Sequence, residues 1–251
     1  KLFSNKSKNK QTLFDFWDSK IDSLKKANKI GNYRIYRDVK KSFIEFLGGR
    51  SIDFKDLTYP LVNAYDVYMR SNGNQDTTIS LRMRTLRALF NDAVKNDLVS
   101  KELYPFSKFI ISKLKTETSK RAMSIDEFEK IKNFDISQYP YFADTLYIFL
   151  FSYYTRGMNF IDISFLKWEN VQGDKLYYRR SKNKKNFIMR IKPEVAEIIE
   201  YYKTNRITEY IFPIINKNDL TPIQIRYRQD KILKKFNKEI KQIGKLCDIT
   251  T

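Results

Sequence analysis

The chain has 251 residues, 42% of them hydrophobic with 19 Phe and 17 Tyr, which supplies cores for two ordinary domains and argues against global disorder. Forty-eight Lys and Arg face 29 Asp and Glu, a formal charge of +19 without a single histidine, so the expected partner is a polyanion, nucleic acid first. The lack of His excludes a His-based triad and argues against a zinc site, and the lone Cys247 excludes an internal disulfide. No apolar run reaches the roughly 18 residues a membrane span needs, and no signal peptide is evident. A soluble, cytosolic, mainly helical protein is expected, since Gly and Pro number only 7 and 6.

Residues 1–11 are polar and read as a flexible N-terminal segment. From Thr12, Leu13, Phe16, Trp17, Ile21 and Leu24 recur at helical spacing until Gly31-Asn32. A second helix carries Tyr36, Val39, Phe43, Phe46 and Leu47 and ends at Gly48-Gly49, and a third runs from Tyr59 to Met69. The fourth opens with Asp76 or Thr77 as N-cap and buries Ile79, Met83, Leu86, Phe90 and Ala93. A second stripe on it, Ser80, Arg84, Arg87, Asn91 and Lys95, contains no acid and suits either solvent or phosphate.

Residues 112–122, rich in Lys, Thr and Ser, read as a linker. It separates a helical domain over 12–111 from a mixed domain over 123–251. Ser124 with Glu127 forms a capping box for the next helix. An apolar helix over 141–155 leads into Arg156 and a short helix with Asp162. Two β-type runs, "DKLYYRRS" and "NFIMRI", flank Lys182, Asn183, Lys184 and Lys185 as a hairpin. Then come a helix opened by Pro193, a short extended stretch "YIFP" and a basic helix over 222–246.

The candidate chemistry is cationic. No Gly-rich phosphate loop and no carboxylate cluster with metal-ligand spacing is present, so no metal or other cofactor is expected. Arg156 interrupts the apolar stretch "FLFSYYTRGMNFIDISFLKWENV", where a cation costs desolvation energy unless an anion meets it, and Asp162 is that anion six residues on. An arginine so held keeps donors for a phosphate, although the pair also suits a purely structural tie between two helices. Residues 175–192 hold eight Lys/Arg and no acid.

These segments, in order, resemble the tyrosine recombinase (phage integrase) family over nearly the whole chain. "TTISLRMRTLRALFNDAVKNDLV" followed by "YPF" is similar to the last helices of the family's core-binding domain, and "SKRAMSIDEFEKI" to its linker and first catalytic-domain helix. "RGMNFIDISFLKWENV" resembles its first catalytic box in a Bacteroidetes-type form, and "LYYRRSKNKKNFIMRI" the hairpin that carries its catalytic lysine. The resemblance implies an α+β fold, mainly α with a small β-hairpin or sheet: a SAM-like core-binding domain of four to five helices, then an integrase-type catalytic domain.

It implies strand cleavage and rejoining through a 3′-phosphotyrosyl intermediate on duplex DNA held in a two-domain clamp, in the bacterial cytoplasm. Arg156 matches this subgroup's catalytic arginine, Asp162 the acid that braces it, and Lys182 the hairpin lysine, with Lys184 as the alternative. Most members place the arginine three residues before the acid, where this chain has Asn159, so Arg156 lies one helical turn earlier or another cation fills the role. Arg84, Arg87, Asn91, Lys95, Lys113, Lys115, Lys120, Arg121, Arg179, Arg180, Lys184 and Lys185 are the expected DNA contacts. The family's second arginine and nucleophilic tyrosine are expected beyond Thr251, which would leave this piece inactive and monomeric alone, and tetrameric on an inverted-repeat site when whole.

Overall fold

The computed structural model describes residues 12–116 and 122–249, divided between two compact units, 1–120 and 121–251. Of the expected features, the flexible segment 1–11, most of the linker's second half, Lys120, Arg121 and Thr251 lie outside the described residues.

The first unit contains four α-helices, α1 (Leu13–Lys26), α2 (Ile30–Phe46), α3 (Tyr59–Ser71) and α4 (Asp76–Lys95), followed by short 3₁₀ turns down to Ile111–Lys113. Thr12 starts α1 by a reciprocal capping box with Asp15. Trp17, Phe43, Tyr65, Met83 and Phe90 are fully buried, each worth about 1.5–3 kcal/mol in removal from water. All five residues predicted for the inner face of α4 are 0% exposed.

Two local expectations fail here. Gly31-Asn32 does not break the chain: α2 already begins at Ile30, and the break sits at Ala27–Lys29, where Asn28 takes φ +54°. A glycine in a first helical turn is tolerated, whereas the left-handed residue before it turns the backbone. The N-cap of α4 is Gln75 rather than Asp76 or Thr77. Asp76 instead accepts the Lys115 backbone N–H at 2.8 Å and pairs with Arg70 at 2.9 Å, tying the end of the unit back to the helix start.

The second unit packs α5 (Ile125–Lys132), α6 (Ala143–Tyr154), α7 (Phe160–Ser164), α8 (Pro193–Lys203) and α9 (Pro222–Leu246) with a three-stranded antiparallel sheet. The sheet order is β1 (Val171–Gln172), β2 (Lys175–Arg179), β3 (Asn186–Arg190). Ser124 and Glu127 form the expected box, and Pro193 opens α8. β1 is only two residues long, too short for a period-2 pattern to announce it. Of the "YIFP" stretch only Tyr210 makes a β-bridge, to Lys167, while Ile211 and Phe212 enter the core.

Alternation places Leu176, Tyr178, Phe187 and Met189 toward the core and Lys175, Arg179, Asn186, Ile188 and Arg190 outward. The Tyr178 and Phe187 rings, paired across the strands, stack at 5.2 Å. α9 is fixed through Ile232, Phe236, Ile240 and Ile243, and by a buried polar bridge in which Gln229 Nε2 donates to Ser164 Oγ at 2.7 Å. Among the described residues no helix is long and apolar enough to cross a membrane.

Candidate functional site

The arginine in the apolar stretch is not buried. α6 ends in a Schellman turn: Gly157 N–H reaches back to Ser152 O at 2.8 Å and Arg156 N–H to Tyr153 O at 3.0 Å. Arg156 takes φ +59° and Gly157 φ +79°, which swings the Arg156 side chain to the exposed surface. Met158 then plugs the core at 3% exposure, and its carbonyl accepts Ser152 Oγ at 2.8 Å. Burying Met158 is worth about 1.5–3 kcal/mol, enough to hold a non-glycine residue in a left-handed conformation that costs about 1–2 kcal/mol.

Asp162 therefore does not pair with Arg156; among the described residues no carboxylate does. The expected one-turn helical offset from Asn159 is also absent, because the chain between Arg156 and Asn159 is a turn. Asn159 is the N-cap of α7: its Oδ1 accepts Asp162 N–H at 3.0 Å and its Nδ2 donates to Asp162 Oδ2 at 2.6 Å. Asp162 Oδ1 accepts the backbone N–H of Ser181 at 2.7 Å, in the β2–β3 turn. Arg180 Nε lies 4.0 Å from Asp162 Oδ2, an ion pair in which the acid side chain is 2% exposed and the arginine 41%. Burial and the Asp162 charge push the nearby Tyr178 phenol up, while Arg180 opposes that shift.

The turn itself is ordered by backbone bonds. Arg180 N–H donates to Lys185 O at 2.8 Å, and Lys184 N–H to Arg180 O at 2.9 Å. Arg179 Nε donates to Lys184 O at 3.0 Å, and Lys185 N–H to Asn183 Oδ1 at 3.2 Å. Lys182, Lys184 and Lys185 are all exposed, and Lys184 sits at φ +58°. Six non-glycine residues have positive φ among those described; four are Asn or Asp, which tolerate it, and the other two are Arg156 and Lys184. Strain of this kind concentrates where side-chain identity is needed for something other than folding.

In the first unit Arg84, Asn91 and Lys95 are exposed along α4 and Arg87 is half-buried. Ser80, expected on that stripe, is 2% exposed and belongs to the inner side. Lys113 and Lys115 are exposed at the end of the unit. The two units thus carry separate basic surfaces, α4 on one and the β2–β3 turn on the other. The sequence marks Arg180 only as a DNA contact; its ion pair with a buried acid 18 positions earlier forms only once the hairpin is folded.

A helical bundle followed by a mixed unit with this three-stranded sheet is the integrase architecture, an N-terminal SAM-like domain joined to an integrase catalytic-domain fold. Residues 12–111 match the family model of the phage integrase SAM-like domain. Among solved structures the chain is similar to a lambda integrase tetramer bound to a Holliday junction, with TM-score 0.64 and 16% identity over 97% of this chain and 66% of that one. It is also similar to the Tn1549 transposon integrase in complex with a circular intermediate DNA, with TM-score 0.55 and 18% identity over 91% and 79% of the two chains. No curated protein matches.

Proposed function

We propose that the chain is the DNA-binding and strand-transfer portion of a tyrosine-type site-specific recombinase, of the Bacteroidetes-type integrases of mobile elements, acting in the bacterial cytoplasm. The carrying observation is the Asp162–Ser181 bond, which fastens the box segment bearing Arg156 to the turn bearing Lys182. The SAM-like match of the first unit and the DNA-bound state of the similar lambda and Tn1549 integrases support it.

In this reading both units hold duplex DNA, mostly through phosphates: Arg84, Arg87, Asn91, Lys95, Lys115, Lys120 and Arg121 from the first unit and its connection, Arg179, Arg180, Lys184 and Lys185 from the hairpin. A tyrosine phenolic oxygen bonds to phosphorus and the bond from phosphorus to the 5′-oxygen breaks. The leaving oxygen takes a proton from the Lys182 ammonium, and the phenol's proton passes to water. A guanidinium stabilises the charge on the non-bridging oxygens, the role that the box resemblance gives to Arg156. The energy of the phosphodiester is kept in the phosphotyrosyl link, so the reverse attack by a partner strand needs no external source. Assembly as a homotetramer on an inverted-repeat core site belongs to this reading, and the tetrameric state of the similar lambda integrase on a Holliday junction supports it.

Two measurements test this. Duplex affinity of the chain should fall by about three to five decades between low and moderate salt if six to ten phosphates are neutralised, and Lys184→Ala with Lys185→Ala should lower that slope by about two. The full-length protein on a nicked cognate site should yield a covalent protein–DNA adduct. Salt-sensitive binding with no adduct would leave a non-catalytic helical DNA-binding protein.

A further inference from the structure

We propose that Arg180, not Arg156, is the arginine that meets the reacting phosphate, and that Asp162 is its brace. The assignment rests on the recombinase reading and decides which cation performs its charge-stabilising role. In the expected arrangement the box supplies both the arginine and its acid. Here Asn159 occupies the arginine's usual place and spends its side chain on Asp162 and the cap of α7. That leaves a buried carboxylate whose cationic partner among the described residues comes from the hairpin: Arg180, Nε to Oδ2 at 4.0 Å.

The geometry suits a phosphate-binding group. Both backbone polar groups of Arg180 are engaged within the turn, to Lys185 O and from Lys184 N–H, so its Cα is held. The next residue is bonded to the same carboxylate at 2.7 Å, so acid and arginine are fixed to each other by main chain as well as by charge. The Nε side of the guanidinium faces the acid, which leaves the two Nη groups of a side chain still 41% exposed for an anion. Arg180 and Lys182 are two residues apart in one turn, so the charge-stabilising cation and the proton donor come from a single short segment. Arg156, exposed and without a bracing carboxylate among the described residues, keeps its conformational freedom and suits backbone positioning.

The test uses full-length protein on the nicked cognate duplex, scoring the rate of adduct formation and duplex affinity in parallel. Arg180→Ala and Arg180→Lys should slow the adduct by about 100- to 1,000-fold, as loss of a charge-stabilising donor does, with affinity within about tenfold. Arg156→Ala should cost about tenfold in both. A methylphosphonate at the scissile position removes the phosphate's negative charge, so it should relieve the Arg180→Ala defect, which a merely structural arginine would not show. An Arg180→Ala protein that forms adduct within tenfold of the unsubstituted rate, or gains nothing on methylphosphonate, overturns the assignment while leaving the recombinase reading intact. An unsubstituted protein that forms no adduct on any element end overturns both.

Discussion

The Asp162 carboxylate accepts the backbone N–H of Ser181 across 2.7 Å, joining the start of α7 to the β2–β3 turn. A main-chain donor cannot change rotamer, so this bond sets the turn's position more firmly than a side-chain pair would. Asp162→Ala should leave the Ser181 N–H, the Asn159 amide and Arg180 short of a partner at once. The expected cost is about 3 kcal/mol, read by urea denaturation. The Ser181 amide should lose hydrogen-exchange protection before the rest of the hairpin; unchanged protection there would remove Asp162 from this role.

Arg156 and Lys184 hold left-handed backbone that glycine adopts freely. Arg156→Gly and Lys184→Gly should each stabilise the fold by about 1 kcal/mol, read as a higher unfolding midpoint, while weakening duplex binding. Opposite signs on stability and affinity mark a strained functional position; loss of both would mean that the side chains support the fold.

On α4, removing Arg84, Arg87 and Lys95 together should lower the salt slope of duplex binding by about three without altering sequence preference. A slope unchanged within error would return the stripe to an ordinary solvated surface.

Acid should loosen the end of the first unit. The Lys115 backbone N–H, followed by Arg70, holds the Asp76 carboxyl below its ordinary value. A depressed folded pKa contributes stability above the unfolded value of 3.8, lost as pH falls through the folded one. The Lys115 amide resonance should therefore titrate below about pH 4, and Asp76→Asn should abolish that titration.

Helix faces were readable because burial follows a 3.6-residue period: Ile79, Met83, Leu86, Phe90 and Ala93 are all fully buried. The Ser124–Glu127 box and Pro193 were readable because their chemistry is local. Asp162 was readable as an important acid, but not its partner. The expectation set Arg156 between two helices, one helical turn before Asn159 and paired with Asp162, and the left-handed Arg156–Gly157 turn removes both the offset and the pair. The true neighbour of the acid arrives through tertiary pairing of β2 with β3, which leaves no local periodic signal.

The ladder from Lys175↔Arg190 to Arg179↔Asn186 leaves six residues, 180–185, to cross between strands. Side chains alternate, so losing one residue from that crossing and shifting β3 by a step would exchange the sides of Phe187 and Ile188. The aromatic ring would face solvent and the isoleucine the core. Natural variants of this segment should thus differ freely in residue type yet almost never in length, a constraint checkable by building single-residue insertions and deletions and asking which still fold.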